Sequence, residues 1–420
     1  MNIKEIANLN LEISSDFIFH TFDEVTYLYN VKHKFDRLEL NPVEYDILSA
    51  INNLHNVNAT WEFIKKVYQI PNGSIEAEDL FCKCILKYRN FTVLREGIES
   101  IAIYGEYKKT YPLSISIELT NRCNFKCTHC YKEADATKSC FLKKESILEF
   151  LNRIEGKVHS IEFTGGEPTL HPNFEEIVHA AKVSKLCLLS NGSQLHRFPD
   201  VLLQKFNFMS ISLYGYNQEE YLRYTKAPLF SSVCQNIKHI NELEIPNVVS
   251  IILRHSNITK LDQFMDVLVS LGVKMVRFGL TQKVGRNTGT NDTWDLLPED
   301  YDLFESKFAE LKKSYPEIKF NEFDCRENLI LKQNGYIIPQ IQCFAGTRII
   351  AISEKGYVRP CIMMPQLYFE NLTWREYLDL IEKGKTYDYS DAIRKCEKDF
   401  HAQKRCLSDI CPRGFIKATL

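Results

Sequence analysis

No run of eighteen apolar residues occurs in this 420-residue chain, which excludes a membrane-spanning helix. The opening residues, Met1-Asn2-Ile3-Lys4-Glu5-Ile6, lack the basic-then-apolar layout of an export signal. Charge of one sign is scarce too. The formal net charge is −2 and no basic run is present, which argues against nucleic acid as the main partner. The expectation is a cytoplasmic, oxygen-sensitive protein that engages neither membrane nor nucleic acid. Disulfides are rare in that compartment, so the fourteen cysteines read as metal ligands and free thiols. The length suggests roughly three domains, and the apolar content is enough to give each a core.

Three of those cysteines, Cys123, Cys127 and Cys130, fall within Thr120–Tyr131. Three thiolates on one tight loop can hold three irons of a cubane 4Fe–4S cluster and leave the fourth iron for an outside ligand. A structural zinc loop is the alternative, but zinc sites bring paired C-x2-C units and a fourth ligand nearby. Before the loop, residues 113–119 alternate apolar and polar, the period of a strand. The cysteines therefore begin where a strand ends, the place where a β/α barrel keeps its active site. A helix near residues 143–154 follows, then a strand at 159–163 that runs into Thr164-Gly165-Gly166-Glu167-Pro168. Paired glycines at a strand end let backbone approach a ligand closely. Further short apolar runs at 186–189, 208–213, 248–253 and 274–280, with a helix at 261–271, complete six strand–helix units. The predicted architecture is α/β, a partial (β/α)6 TIM-type barrel open on one side.

The C-x3-C-x2-C loop followed by the Gly-Gly-Glu-Pro element resembles the signature of the radical S-adenosylmethionine (SAM) superfamily. The resemblance implies a 4Fe–4S cluster on Cys123, Cys127 and Cys130, with SAM as the outside ligand. It also implies contacts to SAM from Gly165, Gly166, Glu167 and Pro168. The stretch 210–215 with Tyr221, Arg223, Thr225 and Phe230 looks like the fourth strand and loop of peptide-modifying members. By that resemblance Ser212 contacts the SAM carboxylate or ribose, and Asn191 is a further candidate. Arg254 either pairs with the SAM carboxylate or is a solvated loop charge. Gly285-Arg286-Asn287 follows the sixth strand much as a Gly-Arg pair does in the family.

The last third holds a second cysteine set. Cys343, a strand at 349–352, a turn at Gly356 and Cys361 describe a hairpin whose arms each present a thiol. It resembles the opening of the SPASM and twitch domains, which hold auxiliary iron–sulfur clusters. Cys396, Cys406 and Cys411 follow, but the cysteine block is incomplete: Ala402 or Gln403 and Phe415 stand where further cysteines belong. One auxiliary 4Fe–4S centre on Cys343, Cys361, Cys406 and Cys411 is expected, with Cys396 as substitute ligand, and structural zinc as the alternative. Cys82, Cys84, Cys140, Cys187 and Cys234 read as ordinary thiols, and Cys325 is left open.

The first hundred residues read as a separate α+β module. Strands at 22–30 and 34–40 precede a helix capped by Asn41-Pro42. A second helix carries Trp61, Ile64 and Val67, with Thr60 as its expected cap. A third covers 75–88, and 91–94 forms a wing strand. This winged-helix order resembles the leader-recognition element of ribosomally made peptide pathways, the fold of the pyrroloquinoline quinone peptide chaperone. The third helix carries Glu76, Glu78 and Asp79, which would repel phosphate. An extended leader adding to a sheet edge is the favoured use.

The expected domains are thus 1–100 for leader recognition, 108–310 for the barrel and 325–420 for a small Cys-rich auxiliary-cluster module. The resemblances together imply an enzyme that modifies a ribosomally made precursor peptide through a 5′-deoxyadenosyl radical, with flavodoxin or ferredoxin as reductant. Thioether crosslinking leads carbon–carbon or carbon–oxygen linkage. Epimerisation, decarboxylation, a protein-maturing oxidase and a multi-zinc adaptor are the alternatives.

Overall fold

The computed structural model describes residues 3–31, 37–94, 100–279, 285–288, 298–321 and 345–402. Cys325, Cys343, Cys406 and Cys411 lie outside them, as do Gln403 and Phe415. The chain divides into two compact units, one of residues 1–111 with 381–385 and one of 112–380 with 386–420.

In the first unit β1 (Leu11–Ile13), β2 (Phe17–Phe22), β3 (Val25–Asn30) and β4 (Arg37–Leu40) precede three helices. β5 (Thr92–Leu94) and β6 (Ile103–Gly105) follow them. The hairpin expected from alternation is β3 and β4, antiparallel with Tyr29 opposite Arg37. β2 extends it on the other side and β6 closes the order β4-β3-β2-β6. The wing strand β5 pairs with β1, Leu94 opposite Leu11.

The first helix, Pro42–Leu54, starts on a capping box: Asn41 accepts from the Glu44 amide and Glu44 reaches back to the Asn41 amide. The second, Val57–Val67, is capped by Asn56, whose side chain accepts from the Ala59 amide at 3.0 Å. Thr60 is therefore not the cap. It lies one turn inside and donates to the Asn56 carbonyl at 2.9 Å. The start moves upstream because Val57 is fully buried and joins the apolar face with Trp61 and Ile64. With the third helix, Ile75–Lys87, these faces enclose a core of Phe19, Leu28, Ile47, Ile51, Trp61 and Phe81.

The second unit is built on one nine-stranded sheet. Its strands are β7 (Ser114–Thr120), β8 (Ser160–Gly165), β9 (Lys185–Ser190), β10 (Phe208–Ser212), β11 (Asn247–Ile252) and β12 (Met275–Gly279). β13 (Lys319–Asn321), β14 (Ile349–Ile352) and β15 (Val358–Arg359) complete it. β7 to β12 lie side by side and parallel, as the six barrel strands should. Helices cover one face only. Ile115, Ile117, Ile161, Phe163, Leu188, Met209 and Ile211 are buried on that outer side. The alternate residues Ser116, Glu162, Ser210, Ser250 and Arg277 point to the interior.

The hairpin predicted around Gly356 (φ +85°) forms, but it is not a layer apart. β14 runs parallel to β7, Ile352 beside Ile117, and so belongs to the barrel sheet. A buried ion quartet fastens it there. Glu118 of β7 meets Lys132 at 2.8 Å and Arg359 of β15 at 2.7 Å, and Lys132 meets Glu354 at 2.6 Å.

Candidate active site

The cysteine loop leaves the C-terminal end of β7 and is held by backbone contacts from four directions. Asp135 accepts from the Cys123 amide at 3.1 Å, and the carbonyls of Thr225 and Tyr224 accept from Lys126 and Thr128, each at 3.0 Å. The Gly285-Arg286 turn closes the fourth side. Arg286 donates to the carbonyls of Cys127 at 2.8 Å and Ala134 at 2.6 Å. Gly285 has φ +61°, and a Cβ there would stand 2.4 Å from the Cys130 carbonyl oxygen. Only glycine lets this turn reach the loop.

The Gly-Gly-Glu-Pro element works in the same way. Gly165 (φ +133°) and Gly166 face the backbone of Thr120 and Arg122, and a Cβ on Gly166 would stand 2.2 Å from the Arg122 carbonyl oxygen. The Gly166 and Glu167 amides donate to the carbonyls of Thr120 at 2.7 Å and Arg122 at 2.8 Å. Glu167 is fully buried. Its carboxylate accepts from the Thr169 amide and hydroxyl, the Ser190 hydroxyl and the Asn191 amide. It braces the end of β9 against the end of β8. Pro168 opens the short turn that follows.

Asn191 is thereby delivered to the cysteines. Its side-chain Nδ2 lies 3.7 Å from Cys123 Sγ and 2.9 Å from Asn124 Oδ1. The Phe125 amide also donates to Cys123 Sγ, at 3.4 Å. His129, between the second and third cysteines, stands edge-on to Tyr214 at 4.5 Å. Burial, with Arg254 and Arg286 nearby, lowers its pKa to about 3 and keeps it neutral.

Ser212 ends β10, half-buried and opposite Ser250 of β11. Arg254 is not a solvated charge: its side chain is only 2% exposed, ion-paired with Glu220 and stacked 3.6 Å from the Tyr224 ring centroid. The sequence reading missed Glu220. A glutamate in the first turn of a helix reads as solvated, and nothing local announces a basic partner 34 residues on. Of the auxiliary set, Cys361 and Cys396 are described. Both pack in one apolar cluster with Met364, Phe369 and Ile393, and Tyr131 reaches the same cluster from the cysteine loop.

The trio fits an iron–sulfur cluster by its chemistry. Burial, the Glu167 carboxylate and the Cys130 thiol push Cys123 up to about 12, and burial with Cys130 and Cys123 raises Cys127 well above its ordinary value. Thiols so crowded ionise only when a cation shares the site, and a bound metal supplies it. A cubane would take one iron per thiolate.

Comparison with known proteins agrees with this geometry. Residues 117–279 match the model of the radical SAM superfamily. They form a radical SAM domain. The chain is 24% identical over 395 residues to the antilisterial bacteriocin subtilosin biosynthesis protein AlbA of Bacillus subtilis, covering 90% of this chain and 83% of that protein. It is 26% identical over 325 residues to the sporulation killing factor maturation protein SkfB of the same organism, covering 75% of each. Streptococcus suis SuiB bound to S-adenosylmethionine superposes with a TM-score of 0.64 at 17% identity, over 88% of this chain and 87% of that one. SuiB bound to its precursor peptide SuiA gives 0.64 at 16% identity, over 95% and 94%. The protein is an enzyme with a radical SAM domain at residues 117–279. The matched residues span the cysteine loop, the Gly165-Gly166 turn and, but for the first three residues of β7, all six barrel strands. No helix among the described residues is long and apolar enough to cross a membrane.

Proposed function

We propose that this radical SAM enzyme modifies a ribosomally made precursor peptide and forms a crosslink in it, most plainly a thioether. The observation that carries the reading is the cysteine loop at the C-terminal end of β7, within a radical SAM domain and braced by the Gly165-Gly166 turn inside it and the Gly285-Arg286 turn just beyond. Two relatives named for bacteriocin biosynthesis and killing-factor maturation, and a fold shared with a protein crystallised with its precursor peptide, support the substrate class.

When bound, the cluster and SAM supply a 5′-deoxyadenosyl radical that takes a hydrogen atom from the substrate. Cys123, Cys127 and Cys130 hold the cluster in this reading. Asn191 and the Phe125 amide donate toward Cys123 sulfur, and the buried wall of Phe125 and Tyr221 excludes water. Gly165, Gly166 and Pro168 would contact bound SAM, with Glu167 bracing their turn, and Ser212 would meet its carboxylate or ribose. Arg254 helps by holding Tyr224, whose carbonyl anchors the loop, and not by a free charge. Cys343, Cys361, Cys406 and Cys411 would hold one auxiliary 4Fe–4S centre, with Cys396, which shares an apolar cluster with Cys361, as substitute ligand.

Residues 1–100 receive the leader. β4 is an edge strand among the described residues, and an extended peptide would add beside it as a fifth strand. The acidic start of the helix Ile75–Lys87 disfavours DNA there. A flavodoxin or ferredoxin would supply electrons.

The test is anaerobic incubation with SAM, reductant and the peptide encoded by the neighbouring short reading frame. A loss of about 2 mass units per crosslink is expected from the chemistry. No change in mass with inverted stereochemistry, or a loss of about 44–46 mass units, would replace crosslinking by epimerisation or decarboxylation. Deoxyadenosine formation that survives replacing all three cysteines by alanine would overturn the assignment.

A further inference from the structure

Arg277 contrasts with three other arginines of this unit. Arg254 faces Glu220, Arg286 faces Asp135 at 3.8 Å and Arg359 faces Glu118. Arg277 faces only hydroxyls among the described residues. Its Nε donates to Ser250 Oγ at 3.1 Å, and one terminal nitrogen donates to Ser250 at 2.8 Å and Ser210 at 3.0 Å. The two serines touch each other at 3.1 Å and are buried. The guanidinium thus lies across three strands, fixed on one side and half-buried.

Its direction is set by its neighbours. Val276 and Phe278 are buried on the helix-covered face, where Phe278 meets Phe304 at 5.5 Å and Phe308 at 5.9 Å. Arg277, between them, turns to the barrel interior. Strand register places it beside Ser250, which lies beside Ser212. The charge therefore stands in one row with a residue of the candidate SAM site, near the strand ends that carry the chemistry.

A half-buried guanidinium that meets only neutral oxygens keeps most of its desolvation cost uncompensated. Its planar fork matches a carboxylate through two parallel hydrogen bonds. We infer that Arg277, positioned by Ser210 and Ser250, is a carboxylate-recognition site on the inner wall of the barrel. This rests on the reading of the barrel as a SAM and peptide site. Two sources carry the group: the methionyl end of SAM, and an Asp, Glu or C-terminal carboxylate of the peptide.

The experiment compares Arg277→Gln and Arg277→Lys with the unsubstituted, anaerobically reconstituted protein. Iron content, absorption near 400 nm and the urea midpoint confirm that each variant folds and loads. One arm titrates SAM against its decarboxylated analogue. The other titrates the neighbouring precursor peptide against versions with each acidic residue changed to its amide. For one carboxylate, Arg277→Gln should weaken binding about ten- to a hundredfold. The ligand lacking that group should bind the unsubstituted protein equally weakly and lose nothing more with the variant. Lysine should recover part of the loss, since the charge stays but the fork is gone. Undiminished binding of both SAM and peptide, or a loss that persists for carboxylate-free ligands, would overturn the inference. The SAM arm needs no peptide. If the unsubstituted protein fails to modify any peptide, the substrate reading falls while Arg277 is still tested.

Discussion

Glu167→Gln removes one charge, leaves side-chain volume unchanged, and tests the brace behind the Gly-Gly turn. Oε1 accepts from the Thr169 amide at 3.2 Å, the Thr169 hydroxyl at 2.6 Å and the Ser190 hydroxyl at 2.8 Å, and Oε2 accepts from the Asn191 amide at 2.7 Å. The hydroxyls can rotate and become acceptors, but the two backbone amides cannot. Glutamine offers one oxygen and one NH2. Whichever way it is turned, its NH2 meets a fixed backbone N–H, and one buried donor stays unsatisfied. That costs about 1–3 kcal/mol, and bonds to a charged acceptor are themselves worth about 1.5–3 kcal/mol. The expected loss is about 2–4 kcal/mol. Urea unfolding of the metal-free protein, followed by tryptophan fluorescence, should show a lower midpoint at unchanged slope. Burial raises the pKa of this carboxyl while the four donors oppose that rise. A glutamine variant within about 0.5 kcal/mol of the parent would mean that the folded state already holds the group protonated, and the donor accounting would be wrong. Deoxyadenosine formation should fall with stability, because Asn191 beside Cys123 hangs from the same carboxylate.

Gly166→Ala should break the turn outright, since its Cβ would stand 2.2 Å from the Arg122 carbonyl oxygen; iron retention and deoxyadenosine formation should each drop at least about tenfold. Glu118→Gln leaves Arg359 and part of Lys132 uncompensated, at a cost of about 3–5 kcal/mol near pH 7. Burial alone would raise the Glu118 carboxyl, but Lys132 and Arg359 bring it below its ordinary value. A depressed acid adds stability above its unfolded pKa, near 4.3, and loses it as pH falls through the folded value. The gap between parent and variant in urea midpoint should therefore hold from pH 7 to about 5 and shrink below about 4.3. Asn56→Ala removes the cap of the helix Val57–Val67 and should cost about 1 kcal/mol in the same assay.

The six barrel strands were legible because residues 113–119 alternate and the later ones are short apolar runs, most of them ending near a glycine, asparagine or serine. Ile349–Ile352 was legible for the same reason, yet its partner was not. No local pattern says that this strand lies beside β7, because register between distant strands is set by packing of the whole sheet. β2 was missed because Phe17–Phe22 is largely buried on both faces, His20 and Thr21 included, which hides the period of two. Thr60 and Asn56 are both capping residues four positions apart, and only the burial of Val57 decides between them. In the site, the thiols and glycines stand out in the sequence as candidate chemistry-bearing positions. What they touch was not readable, since Glu167, Arg286 and Glu220 act through backbone and charge partners that only the fold brings near.

The pairing of β14 with β7 also bears on how the protein is made. Ile117 leaves the ribosome long before Ile352 does, so during synthesis the first barrel strand presents an unpaired edge. Such edges template aggregation, and closure between distant segments is slow. A message cut short before Ile349 would release a product with that edge exposed and with Glu118 lacking Arg359, a natural target for proteolytic clearance.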